Sequence, residues 1–309
     1  MRILLALGGN AITGPHESVR PDHQIAAVEK AATQIATIVA AGHQVLVSHG
    51  NGPQVGNILT KNDLASAFLN PVPLDWCVAN TQGSMGFIIL NALNRALAEA
   101  GLSTQPAVIV SRTLVDPDDP AFQHPTKPIG RYTDSETASR MMRIGQSWAD
   151  FGDKGWRRVV PSPKPQRIVD STAIGALLDA GCLVVGGGGG GIPVIEKDGA
   201  FVGVEAVIDK DLNSVLLASQ IDADALVLAT NVDNAWIDFG KDSARPLGQV
   251  DLATMRSLEA DGQFAPGSML PKVQAVCTFV ERTGGRGVIT SLGRITEALE
   301  GGAGTVVVP

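Results

Sequence analysis

The residues best suited to chemistry are lysines set beside turns. In Val207-Ile208-Asp209-Lys210-Asp211-Leu212 a lysine stands between two aspartates at an expected helix start. Asp209 suits the N-cap of that helix. A lysine in the first turn opposes the helix dipole, so its place there needs another use. An anionic ligand on Lys210, with Asp211 orienting the ammonium, supplies one. Lys272 stands likewise in the first turn of a helix that follows the segment GQFAPGSMLPK, Gly262–Lys272. Lys127 lies in Pro125-Thr126-Lys127-Pro128-Ile129-Gly130. Any one of these lysines alone reads as a solvated charge. Three in such settings point to an anion.

Glycine turns provide a second kind of anion receptor. Leu7-Gly8-Gly9-Asn10-Ala11 follows an expected strand, where glycine N–H groups can cradle an anion. Ser48-His49-Gly50-Asn51-Gly52-Pro53-Gln54-Val55-Gly56 follows another strand and opens a helix, with Pro53 suited to its first position. His49 reads as a turn residue in preference to a substrate contact. Gly186–Gly191 fits a GxGxxG pattern only because it is all glycine. The extended Ile192-Pro193-Val194-Ile195 follows, whereas a dinucleotide fingerprint must open a helix, so an NAD site is excluded. That backbone is expected to run close to a ligand or to another strand. No Walker pattern and no protein-kinase HRD or DFG set occurs, so any ATP chemistry belongs to another scaffold.

Positioning these residues requires short buried strands alternating with longer helices. Continuous apolar runs predict strands at Arg2–Leu7, Gln44–Ser48, Ala107–Ser111, Arg158–Pro161, Cys182–Val185, Ala225–Ala229, Gly287–Thr290 and Thr305–Val308. Helices are expected over 23–41, 53–68, 81–100, 171–180, 210–220, 269–282 and 296–300, several of them ending at glycine (Gly42, Gly101, Gly181). The pattern is an open α/β sandwich with a mostly parallel sheet. One segment breaks it: Asp116–Gln166, with seven prolines, two of the four tryptophans and the only tyrosine, Tyr132. A stretch this long and irregular is expected to form a lid or an inserted subdomain.

Composition narrows the function. Lys+Arg is 24 against Asp+Glu 31, a formal charge of −7, which works against a nucleic-acid partner. The 44% of hydrophobic residues supplies a large core. No apolar run reaches the ~20 residues of a membrane span, and MRILLALGGNAI reads as a first strand, not a signal peptide. Cys77, Cys182 and Cys277 are far apart and odd in number, which fits a reducing, cytoplasmic setting without disulfides or zinc.

Nine runs, in order, resemble the carbamate kinases of the amino acid kinase family. They are LALGGNA at 5–11, SHGNGPQVG at 48–56, PLDWCVANTQG at 73–83, KPIG at 127–130, RRVVPSPKP at 157–165, GGGGIPV at 188–194, VEAVIDKDL at 204–212, TNVDN at 230–234 and FAPGSMLPKV at 264–273. The resemblance covers nearly the whole chain. It implies a three-layer αβα sandwich with a protruding subdomain near 116–166, inside an N-terminal lobe, 1–220, that holds carbamate or carbamoyl phosphate. A C-terminal lobe, 221–309, would hold ATP or ADP. It further implies Mg²⁺ with the nucleotide and a homodimer. By the matching motifs, Lys210 and Lys272 would contact phosphates, Asp211 would organise the lysines, and Lys127 would reach carbamate. Gly8, Gly9, Asn10, Gly50, Asn51 and Gly52 would line the substrate. Thr230, Asn231, Val232, Asp233, Met269 and Lys272 would meet the nucleotide.

The chain departs from the family in places. Leu270 replaces a usual glycine, where a branched side chain would either crowd the nucleotide phosphates or shift the helix start. Arg131-Tyr132 follows KPIG, where the family usually continues Pro-Phe-Tyr, and Gly186 and Gly187 replace residues with side chains. The alternatives are a kinase of another small carboxylate on the same scaffold and a nucleotide-binding regulator without turnover.

Overall fold

The structure, a computed structural model, describes residues 1–9, 11–12 and 20–309. The first half of the chain runs β1 (Arg2–Leu7), α1 (Pro21–Ala40), β2 (Gln44–His49), α2 (Gly52–Ala65), α3 (Leu74–Glu99), β3 (Pro106–Val108) and β4 (Arg112–Val115). Then come β5 (Lys127–Thr133), α4 (Ser135–Met142), β6 (Ser147–Asp150), β7 (Trp156–Val160) and β8 (Pro165–Ile168). The chain continues through α5 (Ser171–Asp179), β9 (Leu183–Val185), β10 (Ile192–Lys197), β11 (Ala200–Gly203), α6 (Lys210–Gln220) and β12 (Ala225–Thr230). It ends with β13 (Trp236–Ile237), β14 (Arg245–Pro246), β15 (Gln249–Asp251), α7 (Leu252–Ala260), α8 (Leu270–Thr283), β16 (Arg286–Ser291), α9 (Ile295–Leu299) and β17 (Thr305–Val308).

Eight strands form the main sheet in the order β15-β17-β16-β12-β1-β2-β9-β3. Every neighbouring pair is parallel except β16 with β17. The apolar runs of β1 and β12 are buried on both faces, as a covered parallel sheet requires. Alternation along β1 splits the core in two. Ile3, Leu5 and Leu7 face one layer with Val28 and Ile35 of α1 and Ile89 and Leu93 of α3. Leu4 and Ala6 face the other, with Ile174 of α5, Leu217 of α6, Met255 of α7 and Phe279 of α8. This is the three-layer αβα sandwich.

One expected strand moved. Seven of the eight expected strands join the main sheet, but the run at Arg158–Pro161 belongs to β7, in a separate antiparallel sheet of order β5-β7-β6. The missing eighth strand is β15, only three residues long. With α4, the β5-β7-β6 sheet forms the inserted subdomain. The insertion lies between β4 and β8, which returns to the body and pairs with β4 in a four-stranded sheet of order β11-β10-β4-β8.

The site follows from topology. β1 and β12 are neighbours, and the chain leaves β1 toward β2 on one side but leaves β12 toward the β16 side on the other. In open parallel sheets the crevice at such a switch point is where ligands bind.

Candidate active site

The ends of β1, β2 and β12 meet at that crevice. Gly8 N–H donates to Ala229 O at 2.8 Å, and Gly50 N–H to Leu7 O at 2.9 Å. The two glycine turns touch: a side chain at Gly50 would begin 2.7 Å from Gly9 N. Only bare backbone fits there. Asn51 stands at the N-terminus of α2, and its Nδ2 donates to Thr81 Oγ1 of α3 at 2.7 Å. Gly52 begins α2 itself. Asn10 lies outside the described residues.

The six glycines at 186–191 are buried behind these turns. Gly187, Gly189, Gly190 and Gly191 have positive φ, between 66° and 88°. The space their side chains would fill is taken by His49, Asn51, Thr113 and Ile208, among others. The run therefore packs against the turn after β2, β4 and the segment before α6. Gln82 of α3 fixes it there: its Nε2 donates to Gly188 O at 2.9 Å and to Ser111 O at 3.0 Å, and its Oε1 accepts from Ser111 N–H at 2.8 Å. His49 is fully enclosed, with Nδ1 3.0 Å from Gly50 O. Burial pushes its pKa below the ordinary histidine value against the pull of that hydrogen bond, and nearby Lys210 adds to the lowering. The neutral form of the ring is thereby favoured.

The lysines converge around the start of α6. Asp209 caps that helix, with Oδ1 accepting from the N–H groups of Asp211 and Leu212, while its Oδ2 accepts from Lys127 Nζ at 2.9 Å. One carboxylate thus ties the inserted subdomain to the helix. Asp211 is only 6% exposed and holds two more ammoniums. Lys210 Nζ stands 2.6 Å from its Oδ1, and Lys272 Nζ, from the first turn of α8, donates to its Oδ2 at 3.0 Å. Burial alone would raise the Asp211 carboxyl, but the two ammoniums prevail and hold it well below the usual carboxylate range. The N-terminal lysine that opposes the α6 dipole is thereby stabilised by its own neighbour.

A cavity of about 400 Å³ opens beside these lysines. Gly8, Gly9, Lys210, Thr230, Asn231, Val232, Met269 and Lys272 line it, which brings together most of the residues singled out from sequence. Asp233 does not line it and faces Arg294 at 3.5 Å. Leu270 does not enter it either. Its side chain packs onto the apolar layer beneath α8, so crowding of the phosphates does not arise. Gln263 and Phe264, from the segment Gly262–Lys272, also form walls, and so do Trp236 and Phe239, which no motif marks. Their signal was weak: two aromatics in a polar stretch with no apolar period. The second role of Asp209 was equally hidden, since its partner lies 82 residues away.

Among the described residues no group of three or more His, Cys, Asp or Glu is placed to hold a metal, and no helix is long and apolar enough to cross a membrane. Cys77 and Cys277 are buried free thiols, and burial pushes Cys277 up to about 11.

A parallel sheet whose switch point opens onto a cluster of lysines is the architecture of an α/β phosphotransferase. The chain belongs to the amino acid kinase family, whose sequence model matches residues 1–291. It is 42% identical over 309 residues to the carbamate kinase of Lentilactobacillus hilgardii, covering 99% of this chain and 96% of that one. The carbamate kinase of Pyrococcus furiosus is 42% identical over 312 residues, covering 100% and 99%. The structure of carbamate kinase from Giardia lamblia bound to AMP-PNP superposes with a TM-score of 0.94 at 40% identity, covering 99% of this chain and 98% of that one.

Proposed function

We propose that the chain is a carbamate kinase, transferring a phosphoryl group reversibly between ATP and carbamate to give ADP and carbamoyl phosphate. The observation that carries this reading is the Lys210–Asp211–Lys272 cluster beside the Gly8–Gly9 turn. It is a fixed positive surface at the point where two anions must be brought together. Full-length relatives of that name at 42% identity support the choice of substrate.

Carbamate is a carboxylate and reaches the site already deprotonated. One of its oxygens attacks the γ-phosphorus, the bond to the β,γ-bridging oxygen breaks, and no proton moves. The barrier is then repulsion and alignment, so preorganised positive charge is the main catalytic requirement. We assign Lys210 and Lys272 to the phosphates and Asp211 to holding both ammoniums in place. Gly8, Gly9, Gly50 and Gly52, together with Asn10 and Asn51, are assigned to the lining of the site for carbamate and the transferring group. Lys127 is assigned to the carbamoyl end, with Asp209 as its resting partner. Thr230, Asn231, Val232 and Met269 would flank the nucleotide, Trp236 or Phe239 would cover the base, and Asp233 would act from outside the cavity.

Mg²⁺ is assigned to the nucleotide's phosphates, because the described residues build no carboxylate cage and Asp211 is occupied by lysines. The lobes 1–220 and 221–309 would divide substrate from nucleotide. Carbamoyl phosphate is a reactive mixed anhydride, so the inserted subdomain would serve to exclude water. We place the enzyme in the cytoplasm, forming ATP in nitrogen catabolism. A homodimer is supported by Trp76 and Phe87, 61% and 65% exposed on one face of α3.

The test is purified protein with ADP, Mg²⁺ and carbamoyl phosphate, following ATP. Turnover there, with none of acetylglutamate and ATP, is the expected result. Turnover of acetylglutamate alone would shift the substrate to another carboxylate, and nucleotide binding without any turnover would make the chain a regulator.

A further inference from the structure

A second cavity, of about 880 Å³, lies where the inserted subdomain meets the body, and none of the residues assigned above to substrate or nucleotide lines it. One wall is the C-terminal half of α2 with the turn that follows, and the other is built from β5, α4, β6 and β7. Its size is that of a small-molecule site.

Three guanidinium groups line it: Arg131 of β5, Arg140 of α4 and Arg158 of β7. Among the described residues Arg131 and Arg140 make no hydrogen bond and no ion pair within 4 Å. Arg158 has its Nε buried without a hydrogen-bond partner, and its terminal nitrogen stands 3.8 Å from Glu205. A buried donor left unmade is costly unless something accepts from it. The two carboxylates present do not fill that need. Glu205 Oε1 accepts from Leu74 N–H at the start of α3, at 2.8 Å. Burial raises the Asp63 carboxyl even though Arg158, Arg131 and Arg140 all lower it. Three cations thus face two carboxylates. Leu59, Ile129, Met141 and Trp148 supply an apolar side. The phosphoryl-transfer reading gave Arg131 no part.

We propose that this cavity is a binding site for a small multivalent oxyanion, a polycarboxylate or a phosphate ester, held by Arg131, Arg140 and Arg158. The planar guanidinium fork matches both groups. The ligand would bridge the inserted subdomain and the body.

Calorimetric titration of the full chain tests it, with the nucleotide site filled by AMP-PNP and Mg²⁺. Citrate is the probe in one arm and glycerol 3-phosphate in the other, with tryptophan emission followed in parallel. Saturable binding by at least one probe at millimolar concentration is expected, and the arm that saturates names the oxyanion. The emission change should vanish in Trp148→Phe while binding remains. Arg131→Ala and Arg140→Ala, both exposed positions, should each weaken binding roughly tenfold or more while leaving thermal stability unchanged. Lys127→Ala should leave it unchanged. Binding that survives both arginine variants and disappears with Lys127→Ala would put the anion in the catalytic crevice and overturn the proposal. So would the absence of saturable binding by either probe.

Discussion

Asp211→Asn keeps the side chain's shape and removes one charge from between two ammoniums. The contacts at stake are 2.6 Å to Lys210 and 3.0 Å to Lys272. At 4 Å and an effective dielectric near 20, each such pair has a Coulomb energy of about 4 kcal/mol, most of which the desolvation of the three groups offsets. Breaking a buried pair by removing one partner costs about 3–5 kcal/mol. The lysine side chains keep 14% and 20% exposure, so water shares the burden and the lower end of that range applies. At about 2–4 °C per kcal/mol, the melting temperature should fall by roughly 6–12 °C. The rate of ATP formation should fall by roughly 10²–10³, because the lysines lose the anchor that preorganises them. Nucleotide phosphates would supply the anion that the variant lacks, so ADP should raise its melting temperature more than it raises that of the wild type. The folded pKa of Asp211 lies below its unfolded value. Its contribution is therefore fully present above about pH 4 and is lost as pH falls through the depressed folded value, so the gap between the proteins should close only in strong acid. Thermal unfolding with and without ADP, together with initial rates, measures all of this. A variant with wild-type rate and melting temperature, or one that gains no more from ADP than the wild type does, would refute the reasoning.

Three further outcomes are expected. Lys127→Ala should weaken carbamoyl phosphate use and leave ADP affinity almost unchanged, whereas Lys272→Ala should impair the nucleotide side more; steady-state kinetics and ADP titration of both variants check this. Because burial lowers the folded pKa of His49, its share of stability is full above about pH 6.5 and declines as pH falls toward that lower value, so His49→Gln should flatten the fall in melting temperature between neutral and mildly acid pH. Gly189→Ala combines a left-handed backbone, φ 66°, with overlap against the Asn51 amide. It should cost about 2–4 kcal/mol in a urea titration and raise KM for carbamoyl phosphate.

Much of the layering was legible because both faces of the sheet are covered. Runs such as RILLAL and ALVLAT have no reason to be continuously apolar otherwise. The helix at Lys210–Gln220 was legible to its ends, since Asp209 marks its cap. An apolar pair such as Val159-Val160 announces a strand but not which sheet receives it. β15 carries a single apolar residue in three, and α7 has a mostly polar surface, so neither stood out. In the site, residue type located the lysines. Their pairing did not follow, because Lys127 with Asp209 and Lys272 with Asp211 join positions 82 and 61 residues apart. Which way Leu270 faces did not follow either, because the rotation of α8 about its axis decides between crevice and core.

The place of β1 also bears on how the protein comes to exist. The N-terminal strand is synthesised early and lies at the centre of the sheet, yet one of its two neighbours, β12, pairs with it across 222 residues of chain. Until β12 emerges, β1 can pair only with β2, and the sheet half β1-β2-β9-β3 has an open edge. Contacts of such sequence separation form slowly, and an unpaired strand edge invites association with other chains. The nascent protein is therefore most exposed to misassembly while its first 200 or so residues wait for the remainder. A chaperone that shields a parallel strand edge during that interval would act on yield without touching the finished enzyme.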